Sequence, residues 1–313
     1  MKAEATGSLV TINIDGKPLE KLIEVVSNGI GTLYRPRKIR KEADAQAYAI
    51  KVLEKAKAEA GAESLMIEAE TAERIGQRLV AKEVRRQENI DTVVEMAANN
   101  LAGAEVSDKP VDEDWATRFF GIVQDVSTEE MKSVWAKILA KEIERPSSFS
   151  MRTLEVLRNI SYEEAELFTK IAPFVFVQDP MSFIFTDNNK YGLNYFNLSK
   201  LREAGLLQSG DQVARTITAS KVNSKVTHKF VCGIKYIELT TEPETKDIIV
   251  PVCLLSKAGC ELYELTERRD NMGYLKDFVA FVRKTNPTAS IKYGEIIERK
   301  GHQTWYKEPL IEL

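Results

Sequence analysis

Apolar residues recur at helical spacing through the middle of this chain, most clearly over residues 127–168. Met131, Val134, Trp135, Ile138 and Leu139 fall on one face of a helix. Ser127 with Glu130 predicts a capping box at its start, serine oxygen to backbone N–H and glutamate reaching back. Pro146 ends the helix, because it has no N–H to donate and restricts Arg145 before it. Ser147, Ser148 and Ser150 predict a turn. A second helix follows near Arg152 to Ile160, with Leu154, Leu157 and Ile160 inward. Ser161 with Glu164 predicts a second capping box, opening a third helix that carries Ala165, Phe168 and Ile171 and closes at Pro173. Propensity, period and punctuation agree here, the mark of a well-specified helical module. Trp115, Trp135, Pro146 and Arg152 are the positions expected to define its fold or its contacts, Arg152 by tying the serine turn to a carboxylate.

Upstream, Leu9 to Ile14 alternates like a short strand and Asp15-Gly16 marks a turn. Pro18 suits the first turn of a helix holding Leu19, Leu22, Ile23, Val26, Ile30 and Leu33. The basic residues Arg35, Arg37, Lys38, Arg40 and Lys41 follow at once. An apolar helix beside such a cluster fits a membrane surface. A core helix followed by a solvated turn is the favoured reading, since Glu20 and Glu24 interrupt the helix and Gly29 and Gly31 weaken it. Residues 42–100 are rich in Ala, Glu, Lys and Arg and contain no proline, so they predict long helices divided at Gly61. The second carries Leu65, Ile67, Ala72, Ile75, Leu79 and Val80, and also a basic stripe of Arg74, Arg78, Lys82, Arg85 and Arg86. A stripe of this kind tracks phosphates in nucleic-acid-binding proteins. The favoured alternative is a solvated face whose charges pair with Glu73, Glu83 and Glu88. Helices this long cannot bury both faces alone in a domain of this size, so self-association is expected. Residues 99–110 read as a loop. Asp112, Glu113 and Asp114 then crowd the start of a helix carrying Trp115, Phe119 and Phe120. Three consecutive acids point in different directions around a helix, which favours capping and dipole complementarity over a nuclease-type metal cluster.

Three phrases carry a family likeness: W-A-K-I-L-A-x-E from Trp135, P-x-S-F-S-x-R-T-L from Pro146, and E-E-A-x-L-F from Glu163. Together they resemble the uncharacterised bacterial family catalogued as domain of unknown function 2806. Val111 to Trp115 with Phe119-Phe120, Arg85 to Ile90, and Leu19 to Pro36 are similar to the same family's preceding blocks. The likeness covers most of the first 175 residues. It implies no catalytic residues, because the family has no established activity. The central helices also resemble, distantly, the abortive-infection alpha domain, which implies a phage-defence setting.

Beyond Pro173 the period changes. Phe174 to Val177 and Phe183 to Phe185 are short apolar runs, and Phe196 to Leu207 is a helix ended by Gly205. Val213 to Ile217, Thr227 to Val231, Ile234 to Leu239 and Ile248 to Leu254 alternate as strands. Leu255 to Leu262 opens a helix, Tyr274 to Lys284 is amphipathic, and Ile291 to Ile297 and Thr304 to Tyr306 add closing strands. A helix ending in Ala-Gly-Leu-Leu, then strands, then Leu-Ser-x-x-Gly-x-Glu-Leu resembles winged-helix modules, although about fifty residues separate the two phrases. Lys200 and Arg202 stand beside Glu203, so a basic recognition helix is lacking. The chain therefore reads as α+β, with a helical N-terminal and central region and a mixed C-terminal domain of winged-helix-like character. The expected parts are 1–110, 111–175 and 176–313.

At 313 residues with 43% hydrophobic and 29% charged content, each part can bury a core. A net charge of −3 does not favour nucleic acid in bulk, though a local patch can still act. The opening MKAEATGS lacks the apolar core of a secretory signal, and no segment is apolar over a bilayer-spanning length. Cys232, Cys253 and Cys260 form no C-x-x-C pair and lie far from a zinc-binding pattern with His228 and His302. Buried free thiols in a reducing cytoplasm are the favoured reading. His228 and Cys232 share one face of a strand, which by itself is not a catalytic dyad. Phosphate-loop, dinucleotide, nucleophile-elbow and zinc-protease motifs are all missing from the sequence. No catalytic residue, metal or cofactor is therefore assigned. The leading expectation is a cytoplasmic, self-associating interaction protein with another protein as trigger or target. A nucleic-acid-binding regulator using Arg35 to Lys41 or the stripe, and a hidden metal-dependent nuclease, are the alternatives.

Overall fold

The computed structural model describes residues 16–34, 69–178, 181–187, 189–210, 213–219, 224–300 and 303–313. The expected strand at Leu9 to Ile14, the basic run Arg35 to Lys41, the helix break at Gly61, and Leu65, Ile67 and His302 lie outside the described residues. The chain divides into two compact units, 1–154 and 155–313.

The described residues of the first unit are helical. Helix α1, Lys17–Ile30, starts with proline in its first turn and buries Leu22, Val25 and Val26. It stops at Gly31, whose left-handed φ of 71° a side chain would resist. Leu33, expected on the helix's inner face, lies past that stop and is exposed. Gly29 does more than weaken α1. A Cβ there would collide with the ring of Phe120 and sit 2.8 Å from the carbonyl oxygen of Ala116. Its absence lets α1 approach α3, Glu113–Val123.

Helix α2 runs unbroken from Ala69 to Asn100. Its second half is core: Ile90, Val93, Val94, Ala97 and Ala98 are buried, with Leu101 just beyond. Two buried polar side chains there are satisfied. Asn89 donates to the Gln124 carbonyl at 2.9 Å, and Asp91 accepts from Gln87 at 3.0 Å and from the Tyr34 hydroxyl at 3.2 Å. Asp112 caps α3 by accepting the Trp115 backbone N–H at 2.8 Å, and Glu113 and Asp114 follow in the first turn.

Helix α4, Glu129–Glu144, corrects one expectation. Its N-cap is Thr128, without a side-chain bond. The start is one residue later than Ser127 implies, so Glu130 sits in the second helical position and the Ser127–Glu130 box does not form. Trp135, Ile138, Leu139 and Ile143 are buried along α4. Trp135 meets Phe119 edge-on at 5.5 Å, and Phe119 stacks on Trp115 at 5.0 Å. Arg145 takes an extended backbone ahead of Pro146, which ends the helix. The turn that follows is secured by Glu142. That buried carboxylate accepts the backbone N–H of Ser147 at 2.6 Å and of Phe149 at 2.9 Å. Helix α5, Met151–Asn159, carries the chain from one unit to the next, with Leu154 and Leu157 buried.

The second unit opens with helix α6, Tyr162–Ile171, whose Ser161–Glu164 capping box is complete. After a 3₁₀ turn at Ala172–Phe174 come β1, Val175–Gln178, and β2, Met181–Phe185. Helix α7, Tyr195–Glu203, ends at Gly205, where φ is 76° and the Leu206 N–H reaches back to Leu201. Strands β3, Val213–Ile217, β4, Val226–Cys232, β5, Lys235–Thr241, and β6, Ile248–Leu254, precede helices α8, Lys257–Tyr263, and α9, Met272–Thr285. Strands β7, Ser290–Lys300, β8, Gln303–Tyr306, and β9, Ile311–Glu312, close the chain.

All nine strands of the described residues join one sheet in the order β3-β6-β2-β1-β4-β5-β7-β8, with β9 also on β7. Every pairing is antiparallel. The fold is therefore α+β. Pleating sorts the side chains. Phe176, Phe183, Phe230 and Ile237 lie on one face, where Phe176 meets Phe278 of α9 at 4.8 Å. Tyr274 of α9 is fully buried there, but its hydroxyl donates to the Phe185 carbonyl at 3.0 Å and accepts the Phe185 N–H at 2.7 Å. On the other face the register lines up Val177, Val231, Tyr236 and Gly294 in one row.

Candidate functional site

The basic residues singled out by sequence that are described and exposed gather on α2, apart from Arg152 on α5. Residues 71–88 precede its buried half and span most of its exposed length. A helix turns about 100° per residue, which sorts this stretch into three sides. Ile75 and Leu79 share one, Val80 and Val84 a second, and Arg74, Arg78, Lys82 and Arg85 the third. The four cations are all exposed and extend over about 17 Å of helix. Leu79 and Val84, on different sides, remain 38% and 44% exposed. A solvated surface helix with one buried stripe does not need apolar residues on a second side.

Arg86 departs from the stripe. It donates to Asp125 at 2.9 Å and to Glu83 at 3.0 Å, and the Asp125 bond is the main cause of its raised pKa. Glu83 is thereby engaged by Arg86. Arg74 donates instead to the Thr71 hydroxyl at 3.2 Å, and Glu88 is exposed.

The remaining expectations are scattered. Trp115 and Trp135 are core residues, and Pro146 stands at the end of α4. Arg152 is exposed at the start of α5, while the carboxylate that secures the serine turn is Glu142. Glu142 was legible only as one more acid on a charged helix. The acids at 112–114 act at a helix N-terminus, and the described residues hold no group of three or more His, Cys, Asp or Glu placed for a metal ion. Burial pushes the Cys232 thiol up to about 12, the reverse of an activated nucleophile, and His228 spends its Nε2 on the Thr218 carbonyl at 3.0 Å. In the second unit the sheet also gathers Tyr236, Arg299 and Tyr306 around a cleft. Nothing in their separate strand segments signals that grouping.

Among known families, the model described as "Protein of unknown function (DUF2806)" matches residues 73–279, from the exposed part of α2 to α9. No curated protein and no solved structure matches the chain.

Proposed function

The chain belongs to the DUF2806 family, and from that premise we propose that it is an interaction protein that self-associates through the exposed part of α2. The observation that carries this reading is the placement of apolar residues on two sides of one helical stretch, Ile75 with Leu79 and Val80 with Val84. A single neighbouring element covers one such side. A second copy of the chain covers the other at the same cost in apolar exposure to both partners. The described residues contain no helix long and apolar enough to cross a membrane, and the three cysteines are free thiols, as suits a reducing cytoplasm. In the phage-defence setting implied by the likeness of the central helices to the abortive-infection alpha domain, the assembled helices are the responding part and the C-terminal unit the sensing part.

Val84→Glu tests the reading, because Val84 is already 44% exposed and the folded chain tolerates a charge there. The substitution is expected to weaken association at least tenfold in sedimentation velocity while leaving thermal unfolding within about 0.5 kcal/mol of the parent. Unchanged association would remove α2 as the contact.

The stripe favours a second reading, in which an anionic polymer lies along α2. Glu83 is held by Arg86, outside the row of four exposed cations. A labelled single-stranded oligonucleotide should then bind with a strong salt dependence. Replacing Arg74, Arg78 and Arg85 together by Ala should lower the log–log salt slope by about 2. Equal slopes for parent and triple variant would dispose of that surface.

A further inference from the structure

The second unit contains a cleft of about 370 Å³ on the sheet face that carries Val177, Val231 and Tyr236. That volume is at the small end of the range for small-molecule sites. Its walls are set by the sheet. Gly294 lies opposite Tyr236 in the β5–β7 register. A Cβ there would sit 2.8 Å from the Lys307 carbonyl oxygen and 3.4 Å from the Tyr306 ring. Glycine therefore lets the segment after β8 fold back, and Tyr306 stacks flat on Tyr236 with ring centroids 3.9 Å apart and planes 5° apart. Both tyrosines line the cleft, with Thr304 beside them.

The charged residues that line the cleft beside this aromatic wall are both positive. Lys229 and Arg299 line the cleft, and no acid does among the described residues. Each cation has a carboxylate nearby, but only at long range. Lys229 is 3.9 Å from Glu238, and Arg299 is 3.7 Å from Glu264. Both acids make their short contacts elsewhere: Glu238 accepts the Tyr236 hydroxyl at 2.7 Å, and Glu264 accepts from Arg268 at 3.0 Å. The Arg299 side chain is only 12% exposed, and its Nη1, the atom 3.7 Å from Glu264, is buried on that side beyond hydrogen-bond distance of any acceptor. Buried guanidinium donors without acceptors are uncommon, because the lost hydration is not replaced. A rigid fork of donors of this kind matches phosphate and carboxylate geometry.

We infer that this cleft binds a small organic anion in which a phosphate or carboxylate group is joined to a flat ring, a molecule of mononucleotide size. The anion sits against Arg299 with Lys229 at the rim, and the ring lies along the Tyr236–Tyr306 wall, where ring faces attract one another. This site shares no residue with the α2 surface, so either reading can fail without the other.

Isothermal titration of the full chain with adenosine monophosphate, inorganic phosphate and adenosine tests it. Adenosine monophosphate should bind more tightly than either half. Arg299→Met should weaken it at least tenfold, and Lys229→Ala, an exposed change that leaves the fold intact, about threefold. Arg283→Met, on α9 and away from the lining, should leave it unchanged. Absence of heat with all three probes at millimolar concentration would overturn the inference. So would equal binding by the parent and both cleft variants, or adenosine binding as tightly as its monophosphate.

Discussion

Trp135→Ala is expected to destabilise the helical unit by about 3–5 kcal/mol, the range for emptying a large aromatic site. The ring is 1% exposed and touches Phe119 edge-on at 5.5 Å, and Phe119 in turn stacks on Trp115. Ile138 and Leu139 close the same side of α4. These neighbours belong to helices with fixed ends, capped at Asp112 and stopped at Pro146, so they cannot collapse far into the space left behind. Urea unfolding followed by far-ultraviolet circular dichroism reads the change without relying on tryptophan emission. A loss under 1 kcal/mol would mean that the ring is not part of the core.

Gly259→Ala is expected to cost about 3 kcal/mol in the second unit, the upper end for forcing atoms into a packed site. A Cβ at Gly259 would collide with the Leu206 carbonyl oxygen and lie 3.0 Å from its carbon. That carbonyl cannot step aside freely, since it accepts the Ser256 N–H at 3.0 Å. Ser256 in turn caps α8 by accepting the Gly259 N–H at 3.0 Å and donates its hydroxyl proton to the Gly205 carbonyl. One methyl group therefore strains a cap and a helix end together. Gly121 supplies the contrast. It lies inside α3 with open space where a Cβ would go, so Gly121→Ala should stabilise by about 0.5–1 kcal/mol. Thermal or urea unfolding of the two variants should move in opposite directions. A Gly259→Ala variant as stable as the parent would show that the close approach of α8 to Leu206 is wrong.

The helices were legible where local chemistry is self-contained. Ser161 and Glu164 form the box their spacing announces, because both partners lie within one turn and on the surface. Ser127 and Glu130 have the same spacing, yet the helix begins one residue later, with Thr128 at its N-cap. Gly29 and Gly259 read from sequence as weak helix positions or parts of a phrase. Their reason is a backbone or ring approaching from far along the chain, which no local pattern carries. The individual strands were visible from alternation, but their order was not. Phe176 pairs with Phe183 next to it and also with Cys232 across a long excursion. The cleft was hidden for the same reason. Tyr236, Arg299 and Tyr306 meet only because β7 lies between β5 and β8 in the sheet. The α2 stripe, in contrast, was legible apart from Arg86, since spacing of four, four and three along one helix places the other four cations.

Light scattering of the parent chain during size-exclusion chromatography at micromolar concentration tests self-association most directly. A mass of at least twice the 35.3 kDa of one chain is predicted, falling on dilution as a reversible assembly does. A constant 35.3 kDa across that concentration range would contradict it.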